Sequence, residues 1–338
     1  SAALIARGRA FAARLETAAP ADTAAQARLA YRLAFGREAT AGEVIAAQSF
    51  ITRQAAQANP ERLASGQANF VPGKVPYRDG QAAMIDLEGA QTMLTVNDSA
   101  ALPLNGAFTV EAFVVPRSVS EGSESRIIAA KWSGKMTEPG WSLGLTGQKS
   151  RRRPLSVALQ VVGKHRDGSV REQPIFSDLS VQMNKPYFIG AAFTPATTNA
   201  PGQVLFALKD LSNDDEPLLA ATVAHDVTGD IANMNPVTIG ARSGRSRQSF
   251  HGVIDDVRLS NAALPMEKML YNSESITGST LGYWKFEAKP DVFEDSSGRG
   301  RSLSRPAGAS VKTPSPAQAA LGDFCHALFN SSEFLYTE

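Results

Sequence analysis

The sequence predicts a mainly β protein, a sandwich of short strands carried between helical chain ends. Three observations lead there. Between residues 81 and 304, about ten short runs rich in Val, Ile and Phe are separated by Gly, Pro, Asn, Asp and Ser. That spacing suits a β-sandwich. Residues 1–60 are instead rich in Ala, Arg, Gln and Glu, and the last residues return to a helical period. Pro- and Gly-bearing stretches at 61–80 and at the start of 305–338 separate the three regions. The predicted division is a helical part over 1–60, a linker over 61–80, a sandwich over 81–304, and a linker with a C-terminal helix over 305–338. Neither end can bury its apolar stripe alone, so both are expected to form one helical unit with the sandwich inserted into it.

The individual elements follow from local chemistry. The chain opens at Ser1 inside a helical pattern, as a piece cut from a longer protein would. Asp22 or Thr23 can cap a helix whose apolar face repeats as Ala25, Leu29 and Leu33, and Gly36 suits its left-handed end. Thr40 and Glu43 have capping-box spacing, followed by Val44, Ala47 and Ile51 at helical intervals. Strands are predicted at 108–115, 126–131, 141–145, 155–162, 187–193, 204–208, 218–223, 237–239, 252–259 and 281–286. Ser315-Pro316 then reads as an N-cap with proline in the first turn. Leu321, Phe324, Cys325 and Leu328 form an amphipathic stripe after it.

Composition narrows the function. Of 338 residues, 34 are Lys or Arg and 33 Asp or Glu, a net charge of +1. Nucleic-acid binders usually carry a basic excess, so no nucleic-acid partner is expected. The single cysteine excludes an internal disulfide framework and any zinc site of two or more thiolates. No apolar run approaches the roughly 18–20 residues of a membrane span. Cys325-His326 lacks the first cysteine of a haem-attachment motif, since Gly322 stands there, so no haem is expected in this chain. Instead, Cys325 reads as a buried core thiol.

Two segments of the middle carry a family resemblance. Gly106-Ala107-Phe108-Thr109-Val110-Glu111-Ala112-Phe113-Val114-Val115-Pro116 resembles a strand of concanavalin A-like, laminin-G-type sandwiches. Phe250-His251-Gly252-Val253-Ile254-Asp255-Asp256-Val257-Arg258-Leu259 is similar to a second strand of that family. The resemblance covers about residues 82–300 and implies a jelly-roll β-sandwich. One departure is that Gly282-Tyr283-Trp284-Lys285-Phe286-Glu287 and Asp295-Ser296-Ser297-Gly298, which look like the usual opening of such modules, come last here. The outer helices have a separate resemblance. Ala30 to Thr40 and Phe324 to Tyr336 are similar to the C-terminal domain of unknown function of large planctomycete and verrucomicrobial secreted proteins. Full-length members often carry a cytochrome-c-type segment upstream. This implies a periplasmic, cell-envelope or secreted setting, with upstream domains of the same polypeptide as partners.

Candidate chemistry is sparse. Catalytic sandwiches of this kind place acidic residues at alternating positions of one strand, which aims them at one cleft. No such pattern occurs, and Glu121, Glu124, Glu287 and Asp291 sit in loop-like segments, so no enzyme activity is expected, and a diverged hydrolase stands as a third possibility. The family resemblance implies a structural calcium ion held by Asp255, with Asp86 and Glu88 as partners and Asp295 as a weaker candidate. Asp255 could equally pair with an arginine, and the Asp295 string is a good Asx-turn. For a sugar ligand, Trp132 and Trp141 bracket a loop, and either could be a stacking platform; both would equally fill the core. Trp284 alternates with Phe286 along a strand and reads as core. Two basic clusters, Lys149 with Arg151, Arg152 and Arg153, and Arg242 with Arg245 and Arg247, lie in loops. Together they could form a cationic rim for sulfate or carboxylate groups, or remain solvated loop charge. The expected function is non-catalytic recognition of a glycan, an anionic polysaccharide being the ligand such a rim suits. The alternative is a structural or protein-interaction module that positions an upstream redox domain.

Overall fold

The computed structural model describes residues 2–57, 70, 72–86, 93–97, 102, 104–243, 248–287, 291–304 and 315–331. The chain divides into two compact units, one of residues 1–69 and 310–338 and the other of residues 70–309.

The helical unit contains α1 (Ala2–Ala18), α2 (Thr23–Phe35), α3 (Ala41–Gln57) and α4 (Pro316–Phe329). Its ends are capped as the sequence predicts. The Asp22 carboxylate accepts from the Ala25 N–H at 2.9 Å, and Gly36 closes α2 at φ 68°, where a Cβ would be strained. Thr40 and Glu43 bond reciprocally at 2.7 and 3.3 Å. Arg37 adds a two-pronged contact to Glu43 at 3.0 and 2.7 Å, and these bonds hold that carboxyl down at about 2. Ser315 and Gln318 form the box that opens α4. Val44, Ala47 and Ile51 are buried, as are Leu321, Phe324, Cys325 and Leu328. The face of α2 differs from expectation: Gln26, Ala27 and Ala30 are buried, whereas Leu33 is 41% exposed. Small residues let α2 approach its neighbours closely, and Gln26 satisfies its amide on the Ala19 carbonyl at 2.8 Å.

The second unit consists of two antiparallel sheets. In chain order its strands are β1 (Pro72–Gly73), β2 (Ala82–Ile85), β3 (Leu94–Val96), β4 (Phe108–Pro116), β5 (Arg126–Lys131), β6 (Gly140–Leu145), β7 (Ser156–His165) and β8 (Val170–Ser180). They continue with β9 (Tyr187–Thr194), β10 (Gly202–Asp210), β11 (Leu219–His225), β12 (Val227–Gly229), β13 (Thr238–Ile239), β14 (Gly252–Ser260), β15 (Thr280–Trp284) and β16 (Leu303–Ser304). The first sheet runs β1-β2-β14-β4-β9-β10-β11, with β15 also on β14. The second runs β12-β7-β6-β5-β13-β3-β16, with β8 also on β7.

Alternation sorts the side chains. Phe108, Val110, Ala112 and Val114 of β4 face inward, onto Trp141, Leu143 and Leu145 of β6 and Val157, Leu159 and Val161 of β7. Phe108 stacks on Trp141 and on Phe193, each at 5.2 Å. Trp284 is fully buried here, its indole N–H donating to the Arg301 carbonyl at 2.8 Å. The predicted strands are all present. β8 went unread because its charged residues and Pro174 disguise the run. Proline lacks a ladder donor, and β8 tolerates it because among the described strands it pairs with β7 alone. The expected linker over 61–80 is corrected for its last part. Pro72 and Gly73 pair with β2, and Val75 is buried in the unit's outer cluster.

That outer cluster covers the far face of the first sheet. Phe113 and Val115 of β4 and Phe188 and Ala192 of β9 lie beneath Val75, Met269 and Leu270. A buried ion pair fixes the covering segment. Arg258 of β14 meets Glu111 of β4 at 3.0 Å, and its guanidinium also donates to the carbonyls of Lys268, Ser273 and Ser275 at 2.8, 2.9 and 3.2 Å. Glu111 accepts from the Leu270 N–H as well. Burial pushes the Glu111 carboxyl up while Arg258 draws it back.

Two outcomes follow. Arg258→Met strands a buried carboxylate and three carbonyls, so urea denaturation should show a loss of about 3–5 kcal/mol; an unchanged midpoint would contradict the lock. His225, buried on Phe193 at 4.6 Å, is held neutral down to about 4. The unfolded chain takes up that proton nearer 6.5, so its contribution is complete above pH 6.5 and is lost as pH falls toward 4. His225→Gln should flatten stability across that window relative to the parent protein.

Candidate functional site

The outer face of the first sheet is covered, whereas polar side chains stand on the outer face of the second. Trp141, Leu143 and Leu145 of β6 point inward, so Ser142 and Gly144 point out, as do Ala158 and Gln160 of β7. On β8 the ladder sets Glu172, Pro174 and Phe176 opposite Val162, Gln160 and Ala158, on that same face. Of these, Gln160, Glu172, Pro174 and Phe176 line a groove of about 1040 Å³. The Ser142 hydroxyl donates to the Gln160 carbonyl oxygen at 3.1 Å, and the Gln160 amide donates to Glu172 at 3.1 Å. The floor therefore presents an amide bonded to a carboxylate, with the buried Ser142 hydroxyl behind the amide.

One rim comes from the loop between β6 and β7. Lys149, Arg151 and Arg152 line the groove there and are exposed. Backbone bonds dock this loop onto the one between β4 and β5: Gln148 N–H to the Ser120 carbonyl at 2.8 Å and Lys149 N–H to the Gly122 carbonyl at 2.9 Å. Gly147 permits that approach, since a Cβ there would stand 2.2 Å from the Gly122 oxygen. Among the described residues, none of the three side-chain cations has an ion-pair partner. The other charges around the groove are matched. Arg171 holds Asp167 at 2.8 Å, Asp226 meets Arg166 at 3.3 Å, and Glu124 accepts from Ser120 at 2.9 Å. Burial raises the Glu172 carboxyl above the usual range, and Arg242 opposes that rise.

The sequence-predicted residues are only partly brought together. Arg151 and Arg152 reach the groove. The tryptophans do not offer platforms. Trp141 lies in the core against Phe108. Trp132 is 2% exposed, donates to the Lys135 carbonyl at 2.9 Å, and carries the Arg242 guanidinium 4.4 Å from its ring centroid. It lies over Gly140, where a Cβ would stand 2.7 Å from the Trp132 Cβ. Arg242 is thus no rim charge: it is buried on Trp132 and donates to Gln248, which lines the groove. Arg245 and Arg247 lie outside the described residues, as does Glu88. Gln160, Glu172, Gln173 and Phe176 went unread. A signal existed for Gln160, which with Ser156 is one of two polar residues inside the otherwise apolar run 155–162.

The implied calcium ligands do not fit a shared site. Gly252 pairs with Ile85 and Ile254 with Ala83, so Asp86 and Asp255 lie beyond opposite ends of that ladder. At about 3.3 Å per residue they are roughly 13 Å apart along the strand. Asp86 sits instead where its charge acts on His251. Asp255 is buried with Asp256 against Arg78, whose Nε is 3.8 Å from Asp255 and whose Nη2 meets Asp256. Arg78 also lies 3.6 Å over the Phe113 ring. Burial and the neighbouring Asp256 raise the Asp255 carboxyl, which Arg78 counters. A guanidinium occupies the role the ion would have. Asp295 forms the Asx-turn, accepting from the N–H groups of Ser297 at 2.9 Å, Tyr283 at 3.0 Å and Arg301 at 3.1 Å.

No family model matches the chain, and no curated protein does. Several solved structures overlap it in part. The enzymatically active domain of bacteriophage CBA120 tailspike protein 2 is 16% identical, with a TM-score of 0.42, over 60% of this chain and 29% of that one. The matched region is thus under a third of the tailspike chain. The CBM40 of the Ruminococcus gnavus IT-sialidase, bound to α2,3-sialyllactose, is 13% identical over 56% of this chain and 94% of its own, with a TM-score of 0.36. The heptameric SAP-like pentraxin from Limulus polyphemus is 12% identical over 58% and 76%, with a TM-score of 0.32. Likeness this distant leaves function to be read from the groove itself.

The Arg78 arrangement makes a direct prediction. Adding calcium or a chelator should leave the melting temperature of the protein unchanged, whereas Arg78→Met should lower it by several degrees. A rise in melting temperature with calcium would restore the ion that the resemblance implies.

Proposed function

We propose that the protein is a non-catalytic carbohydrate-recognition module whose groove on the second sheet takes an acidic polysaccharide. The observation that carries this reading is the set of three cations, Lys149, Arg151 and Arg152, unpaired among the described residues, on the docked rim of a groove lined by glutamine and serine side chains. Arginine forks match carboxylate and sulfate oxygens, and amides and hydroxyls match sugar hydroxyls. Backbone bonds already hold the rim, so binding has to order its side chains and not its backbone. Phe176, half-buried on the floor, supplies an apolar patch for the C–H face of a sugar ring. In this reading the sandwich is a jelly roll carried as an insert by the helical unit, within a larger secreted or cell-envelope protein.

Affinity electrophoresis in gels containing polygalacturonate, chondroitin sulfate or neutral dextran tests the proposal. The acidic gels should retard the protein, and raised salt should weaken retardation, because exposed charges are screened. The double variant Arg151→Ala/Arg152→Ala should cut affinity at least tenfold, about 1.4 kcal/mol, with an unchanged melting temperature. Retention by dextran alone, or release of new reducing ends from any of the three polymers, would contradict it.

A further inference from the structure

The groove does not stop at β8. A second cleft of about 480 Å³ adjoins it and shares Arg152, Gln173, Pro174 and Phe176 with it. The second cleft adds Arg153, Ile175, Val223 and Ala224. Val223 and Ala224 belong to β11, the edge strand of the first sheet, so the track leaves the second sheet over its β8 border and runs onto the other layer. Both clefts are open to solvent, and the residues they share join them into one track.

Charge and shape change along this track. At the junction stands Arg152, exposed and without a partner among the described residues. Its neighbour Arg153 is already paired with Asp178 at 3.2 Å. Beyond the junction the lining adds the aliphatic residues Ile175, Val223 and Ala224 beside the paired Arg153. Each volume reaches the roughly 300–1,000 Å³ typical of a pocket for one drug-sized ligand. Joined, they exceed what one or two sugars need.

We infer that the protein binds an internal stretch of an extended acidic polysaccharide, several sugars long, which crosses the β8 border with an acidic substituent held at Arg152. This inference rests on the carbohydrate-binding reading and adds the length, the path and the internal position of the ligand. A carboxylate and a sulfate would satisfy Arg152 equally, so the experiment carries both.

Isothermal titration with oligogalacturonates and with chondroitin sulfate fragments, each from two to eight residues, reads the length of the site. In the series that supplies the fitting group, affinity should rise at least tenfold from the dimer to the hexamer and then level off. Ala224→Glu places bulk and negative charge in the second cleft at an exposed position. It should abolish the gain with length and keep the melting temperature. Equal affinity at every length, or a length gain that survives Ala224→Glu, would overturn the inference while the carbohydrate reading stands. Failure of every fragment to bind would overturn both.

Discussion

The ion pair between Arg258 and Glu111 is the contact on which the rest of the second unit depends. Both groups are buried on the outer side of a sheet, where unpaired charge would be very costly. Their pairing is stable because the surplus hydrogen-bonding capacity is taken up by one covering segment. The guanidinium reaches three carbonyls between Lys268 and Ser275, and the carboxylate takes the Leu270 N–H. The same segment lays Met269 and Leu270 over Phe113 and Phe188. A charge pair inside an apolar layer thus acts as a clasp, and it gives that sheet two buried faces.

That closure decides where recognition can occur. β4 and β14 are buried along their whole lengths, because each is covered on both sides. β8 is different, with exposed or half-buried residues through its first half. The second sheet therefore presents polar groups outward where the first presents a hydrophobic layer. Charge follows the same division. Asp255 and Asp256 on the covered side are answered by Arg78, while Lys149, Arg151 and Arg152 on the open side are answered by nothing among the described residues. Buried charge is satisfied inside the fold, and surplus cationic charge is left at the groove.

Much of this architecture was legible in the sequence. Runs such as 108–115 and 252–259 are apolar at the positions that alternate inward, and strand assignment needs little else. Helix ends were legible too, because a cap such as Thr40 with Glu43 is a local bond between residues three apart. The apolar face of α2 was not, since close packing chose Ala27 and Ala30 over the larger Leu33. β8 was missed because an edge strand needs neither continuous hydrophobicity nor a donor at Pro174. Trp132 and Trp141 illustrate the limit for sites: an aromatic ring is equally suited to a core and to a sugar platform. Only the register, which turns Trp141 inward, and the guanidinium of Arg242 over Trp132 decide between them. Arg151 and Arg152 could be placed at the groove only once the loop that carries them was seen docked beside Ser120 and Gly122.

Amide chemical-shift mapping of the labelled protein during titration with an oligogalacturonate hexamer tests the central claim most directly. The account predicts shifts concentrated at Arg151, Arg152, Gln160, Glu172, Gln173 and Phe176, with the amides of Val75, Arg78, Met269 and Leu270 unmoved. Shifts centred on that second group would contradict it, as would a spectrum unaltered by this hexamer and by its sulfated counterpart.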